Sequence, residues 1–147
     1  LGHPAPVVWE REPVRRGGAE GYEVCAPGEG GRRDHRSVLD ASGDAAVIDM
    51  LVGRIARGGE IVLAGFYGET VRFGFASAFV REARLRIAAE FTPADLAATL
   101  SLIADGRLSL RGLVSHARPA DELGRAYGEA FDSPECLKMI LDWKVAA

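Results

Sequence analysis

The sequence predicts an α/β fold, a parallel sheet covered by helices on both faces, and three observations carry that prediction. Glu60-Ile61-Val62-Leu63-Ala64-Gly65 is a continuous apolar, β-branched run without polar alternation, which is how a strand buried on both faces reads. Ahead of it, Val47, Ile48, Leu51, Val52 and Ile55 recur at helical spacing. Strand-like and helix-like stretches then alternate along the chain, the order that builds right-handed crossovers between parallel strands.

Taken in order, Pro6-Val7-Val8-Trp9-Glu10 predicts a strand closed by an acid, and Arg11 to Gly21, holding Pro13, Gly17 and Gly18, predicts a loop or weak helix. Tyr22 to Ala26 reads as a second strand, cut off by the turn-formers of Pro27-Gly28-Glu29-Gly30-Gly31. Ser37 to Ala41 reads as a strand ending in the turn Ser42-Gly43-Asp44. A helix is expected from Ala45 to Arg57, with Asp44 as its N-cap and Gly58-Gly59 as its stop. Phe73 to Phe79 is aromatic and without clear pattern, whereas Arg84 to Ala88 alternates as a strand does. Thr92-Pro93-Ala94-Asp95 opens a helix that Gly106 ends. Leu108 to Val114 reads as a loose apolar connector, Pro119 opens a helix running to Phe131, and Cys136 to Trp143 closes the chain as a buried strand.

Composition narrows the function. A length of 147 residues, 48% hydrophobic and 27% charged, suits one globular domain. A net charge of -3 offers no basic field for a nucleic-acid backbone. Arg32-Arg33-Asp34-His35-Arg36 has no interleaved aromatics on which bases would stack, so it reads as a solvated loop. The longest apolar run, Ile61 to Tyr67, falls far short of the roughly 20 residues that span a bilayer. Cys25 and Cys136 form no CxxC or Cys/His pattern, which excludes a disulfide scaffold and fits the cytoplasm. Cys25, Asp34, His35 and Asp40 match no standard metal spacing, so no metal site is expected. The chain opens on Leu1-Gly2-His3-Pro4 without an initiator Met and is expected to be part of a longer protein.

In a parallel α/β sheet the ligand sits outside the carboxyl ends of the strands. The turns after Glu10, Ala41 and Gly65 are therefore expected on one edge, forming a groove for an extended ligand.

Asp40-Ala41-Ser42-Gly43, the helix after it and Gly58-Gly59-Glu60-Ile61-Val62-Leu63-Ala64-Gly65 resemble the second half of the nucleotide-binding domain of the medium-chain dehydrogenases/reductases. Asp105-Gly106-Arg107-Leu108, Leu113-Val114-Ser115-His116 and Leu137-Lys138-Met139-Ile140-Leu141 follow that superfamily's C-terminal order. Ala64-Gly65-Phe66-Tyr67, Ala78 to Arg84 and Cys136 to Trp143 resemble its bacteriochlorophyllide-oxidising branch more closely. The resemblance implies a Rossmann-like dinucleotide-binding domain over residues 1–147, incomplete because the first strand and its G-x-G-x-x-G fingerprint are absent. The superfamily's GroES-like substrate domain is likewise not recognisable here. An acid that binds the ribose lies about 20 residues past the fingerprint, so if Glu10 is that acid the fingerprint would precede Leu1.

The implied activity is NAD-dependent oxidation of the 1-hydroxyethyl group of a bacteriochlorophyllide to acetyl. For the cofactor the resemblance offers Glu10 at the adenosine ribose, Ser42 and Gly43 along the chain's passage past the cofactor, Gly65 and Phe66 by the nicotinamide, and Lys138 at the pyrophosphate. Phe66 and Tyr67 are offered for stacking on the flat macrocycle. Each has a plain structural alternative: a solvent-facing acid, a helix-entry turn, core aromatics, a surface lysine. Arg11, Arg15 and Arg16 leave a 2′-phosphate on the cofactor open. His116, a lone histidine after an apolar connector, reads as structural rather than as a base, and the catalytic acid/base is not assigned. Another alcohol or polyol dehydrogenase of the superfamily, and a noncatalytic nucleotide-binding or homo-oligomerising module, stand as the alternatives.

Overall fold

The computed structural model describes residues 5–17, 21–88 and 90–144, so the opening Leu1 to Pro4, His3 among them, lies outside the described residues. Two compact units divide the chain: Gly31–Thr92 forms one, and Leu1–Gly30 with Pro93–Ala147 forms the other.

The Gly31–Thr92 unit holds a three-stranded parallel sheet of β3 (His35–Asp40), β4 (Ile55–Leu63) and β5 (Arg84–Ile87), in that spatial order. Two short helices, α1 (Ile48–Val52) and α2 (Phe75–Val80), make the crossovers. Its core is aliphatic: Ile48, Leu51, Val52, Ile55, Ile61, Val62, Leu63 and Ala78 are all buried. Ile48, Val52, Ile55 and Ile61 have 0% of their surface exposed, each a burial that stabilises by about 1.5–3 kcal/mol.

The helix expected over Ala45 to Arg57 is shorter than its apolar pattern. Asp44 does act as the N-cap, its Oδ1 accepting from the Ala46 amide at 2.9 Å, but the cap starts a 3-10 turn at Ala45–Val47 before α1 begins. Gly53 closes α1, and Ile55 already belongs to β4. The mistake has a physical origin: Ile55 points into the core that Leu51 and Val52 fill, so burial keeps the helical spacing after the backbone has become extended. Gly58 and Gly59 consequently lie within β4 rather than at a helix end. The register jumps there, His35 facing Ile55 and Ser37 facing Glu60. Gly58 has a φ of 72°, favourable to glycine, and its amide donates to the Arg81 carbonyl at 2.7 Å. The patternless Phe73 to Phe79 stretch becomes α2, and Arg84 to Ala88 becomes β5, as its alternation predicts.

In the other unit, β1 (Val7–Trp9) pairs in parallel with β2 (Glu23–Cys25), and β6 (His116–Pro119) pairs in parallel with β7 (Met139–Asp142). Helix α3 (Pro93–Ala104) begins at Pro93, and α4 (Leu123–Asp132) follows a 3-10 turn at Ala120–Glu122 that Pro119 introduces. Strand β6 escapes sequence reading because four residues ending in proline, with one arginine, carry no β-branched alternation. The buried apolar residues of this unit are small: Ala120, Ala126 and Cys136. All strand pairing among the described residues is parallel, as the sequence predicts; it forms four strand pairs distributed over three sheets.

Candidate functional site

Two of the three expected turns meet at the carboxyl edge of the β3–β4–β5 sheet. Asp40, the last residue of β3, is buried, and its carbonyl accepts from the Ala64 amide at 2.7 Å and the Gly65 amide at 3.1 Å. Its carboxylate works on both sides. Oδ1 accepts from the Ser42 amide at 3.0 Å, shaping the turn after β3, and Oδ2 accepts from the Tyr67 hydroxyl at 2.5 Å, holding the turn after β4. Sequence reasoning weighs Asp40 for a metal site and misses this linking position: it stands in the quoted string Asp40-Ala41-Ser42-Gly43, but nothing in that string shows a partner 27 positions away.

The two turns touch backbone to backbone. A Cβ on Gly43, whose φ is 71°, would lie 2.7 Å from the Phe66 carbonyl oxygen; a Cβ on Gly65 would overlap the Gly43 amide nitrogen and stand 2.8 Å from its Cα. Neither glycine admits a side chain, because the space a Cβ would fill is taken by the backbone of the other turn, and the two turns pack peptide against peptide. The Ser42 hydroxyl accepts from the Asp44 amide at 3.1 Å, while Ser42 itself is exposed. Phe66 leaves the turn fully exposed, 100% by surface, whereas the neighbouring Tyr67 is half-buried. Burial first, then the hydrogen bond and charge of Asp40, pushes the Tyr67 phenol well above its ordinary ionisation range.

Glu10 and Lys138 belong to the other unit. Glu10 follows β1 directly; its amide donates to the Cys25 carbonyl at 3.0 Å, and its Oε1 accepts from the Glu12 amide at 2.8 Å. Of the arginines around it, Arg11 pairs with the Glu12 carboxylate at 3.3 Å, and the other two are engaged with backbone. Arg16 donates to the Glu10 carbonyl at 2.7 Å and the Arg11 carbonyl at 2.6 Å, and Arg15 donates to the Pro134 carbonyl at 2.5 Å. Lys138 is exposed just before β7, and its carbonyl accepts from the Ser115 and His116 amides at 3.2 Å each. His116 lies in β6, its Nδ1 2.9 Å from the Ser115 hydroxyl and its Nε2 3.6 Å from Glu129, which also takes a two-pronged contact from Arg118 at 2.8 and 3.0 Å. The Ser115 hydroxyl oxygen accepts from the Leu137 amide at 2.8 Å, so this cluster clasps β6 to α4 and β7. Among the described residues no group of three His, Cys, Asp or Glu side chains is placed to hold a metal, and no helix is long and apolar enough to cross a membrane.

No protein-family model matches the chain. Among curated proteins it is 59% identical over 99% of its length to 2-desacetyl-2-hydroxyethyl bacteriochlorophyllide A dehydrogenase of Cereibacter sphaeroides, and 57% identical over 99% to the protein of the same name in Rhodobacter capsulatus. It covers 46% of each, so the chain spans about half the length of the curated relatives it matches. Among solved structures it resembles L-idonate 5-dehydrogenase from Escherichia coli K-12, with a TM-score of 0.79 and 19% identity, over 94% of this chain and 42% of that one. An alcohol dehydrogenase from Escherichia coli CFT073, complexed with NADH, gives a TM-score of 0.77 at 17% identity over 93% of this chain and 44% of that one. The chain therefore carries a Rossmann-like fold shared with these dehydrogenase structures and is similar, along nearly its whole length, to about half of a bacteriochlorophyllide dehydrogenase.

Proposed function

We propose that this chain is the nucleotide-binding part of an NAD-dependent cytoplasmic oxidoreductase that oxidises the 3-(1-hydroxyethyl) group of bacteriochlorophyllide a to 3-acetyl. The observation that carries the reading is the 59% identity sustained over 99% of the chain, against under 20% to the idonate and CFT073 enzymes, which speak for fold alone. A bound NAD would supply the acceptor for hydride from the alcohol carbon, with the hydroxyl proton passing to solvent. The chain's task is to bind and orient. Gly43 and Gly65 let the turns after β3 and β4 close on each other at the edge where the dinucleotide would lie, with Ser42 exposed beside them. Phe66 presents an unobstructed ring for the nicotinamide or the macrocycle, with the half-buried Tyr67 next to it in the chain. Glu10 accepts the ribose hydroxyls and Lys138 meets the pyrophosphate. Because Arg15 and Arg16 already serve backbone carbonyls and Arg11 pairs with the Glu12 carboxylate, the surroundings of Glu10 favour NAD over its 2′-phosphorylated form.

The test is oxidation by the full-length protein carrying this sequence, offered NAD with 3-(1-hydroxyethyl) bacteriochlorophyllide a, L-idonate or 2,3-butanediol and followed by NADH fluorescence. Turnover of the macrocycle in preference to the polyols is expected. Polyol turnover without macrocycle turnover would move the protein to another alcohol dehydrogenase. Cofactor binding without oxidation of any of the three would favour a noncatalytic module.

A further inference from the structure

The carboxyl edge of the sheet contains one side-chain link that the assignment of cofactor and substrate residues does not use. The Tyr67 hydroxyl has a single proton, and at 2.5 Å from Asp40 Oδ2 that proton is committed to the carboxylate. Tyr67 therefore has no hydrogen left to donate to a ligand. The hydrogen bond instead closes a ring of contacts. Asp40 shapes the Ser42 turn through Oδ1, receives the Ala64 and Gly65 amides through its carbonyl, and receives Tyr67 through Oδ2. Phe66 stands inside this ring of anchors, between Gly65 and Tyr67, with its side chain wholly in solvent. An exposed aromatic ring on a turn would ordinarily move freely, but here the residues on both sides of it are fixed to Asp40.

We infer that Tyr67 is a positioning residue, whose hydrogen bond to Asp40 holds the turn after β4 against the turn after β3 and so fixes where Phe66 and the packed Gly43–Gly65 backbone meet the cofactor. The inference rests on the cofactor reading above, to which it adds a residue acting through another. Backbone contacts alone leave the Phe66–Tyr67 side of the turn with no side-chain tie to β3, so removing the hydroxyl releases the edge that must fit the ligand.

The experiment compares wild type, Tyr67→Phe, Asp40→Asn and the double variant of the full-length protein, with NADH as the probe. Dissociation constants are read by fluorescence well below each melting midpoint. Tyr67→Phe is expected to weaken NADH binding by about five- to tenfold, the scale of one ordinary intramolecular hydrogen bond. Asp40→Asn keeps an oxygen acceptor and is expected to weaken it less. The double variant is expected to match Tyr67→Phe, since without the phenol hydroxyl the charge on Asp40 has no Tyr67 contact left to strengthen. A lowered melting midpoint with unchanged NADH affinity in Tyr67→Phe would make the hydroxyl merely structural and overturn the inference while leaving the cofactor reading intact. Failure of the wild type to bind NADH would overturn both. Should Tyr67→Phe not fold, Asp40→Asn decides: weaker NADH binding supports the link, unchanged binding overturns it.

Discussion

At the residue scale, the site is defined by where side chains are forbidden and by one carboxylate. Gly65→Ala must place a methyl against the Gly43 backbone, which cannot yield as a flexible side chain would. It is expected to cost more than about 2 kcal/mol, whereas Gly68→Ala, with nothing within 4 Å, is expected to stay within about 0.5 kcal/mol; urea melts of the two variants check the contrast. Tyr67 makes a pH prediction with a definite sign. Its folded ionisation lies above the ordinary value of 10.0, chiefly through burial and then through Asp40, while the unfolded chain ionises near that ordinary value. The stabilisation is therefore complete below about pH 10 and is lost as the pH rises beyond it. Alkaline melts should show that loss in wild type and not in Tyr67→Phe, and ultraviolet titration should show one fewer late-ionising tyrosine in the variant. The sequence shows Gly43 and Gly65 as turn residues because glycine announces itself. It is silent on Asp40 with Tyr67, because an aspartate and a tyrosine 27 apart form no pattern until parallel strands bring their ends together.

Elements were legible where a local rule and burial agree. Strand β4 shows itself by a continuous apolar run, β3 by the turn that ends it, and α3 by proline in its first turn. The boundary between α1 and β4 was not legible, since one core accepts Leu51, Val52 and Ile55 from a helix and a strand alike. What starts this crossover is the Asp44 cap: Asp44→Ala leaves the Ala46 amide without its carboxylate partner and is expected to cost about 1 kcal/mol in a thermal melt, with Asp44→Asn close to wild type. Strand β6 was missed because its existence depends on β7 and on the Arg118–Glu129 ion pair to α4, not on its own four residues.

For the molecule as a whole, the two units differ in how much they bury. The Gly31–Thr92 unit has an aliphatic core, while the other, among the described residues, buries only small apolar side chains; both leave large apolar residues exposed, Phe75, Phe79 and Ile87 in the first and Leu96, Phe131 and Trp143 in the second. An exposed apolar set of this kind marks a surface that is covered in the functional state. The relatives are about twice as long, which supplies a candidate cover. The 147-residue chain expressed by itself is expected to associate, or to melt with weak cooperativity, in light scattering and calorimetry, and the full-length protein to melt sharply. A monomeric, cooperative melt of the short chain would contradict that expectation. The most direct measurement of the central claim follows the hydride. With 3-(1-hydroxyethyl) bacteriochlorophyllide a deuterated at the alcohol carbon, the account predicts acetyl product and an equal amount of reduced NAD carrying one deuterium in its nicotinamide ring, by mass spectrometry. Acetyl product with unlabelled NADH, or no acetyl product while NAD is bound, would contradict it.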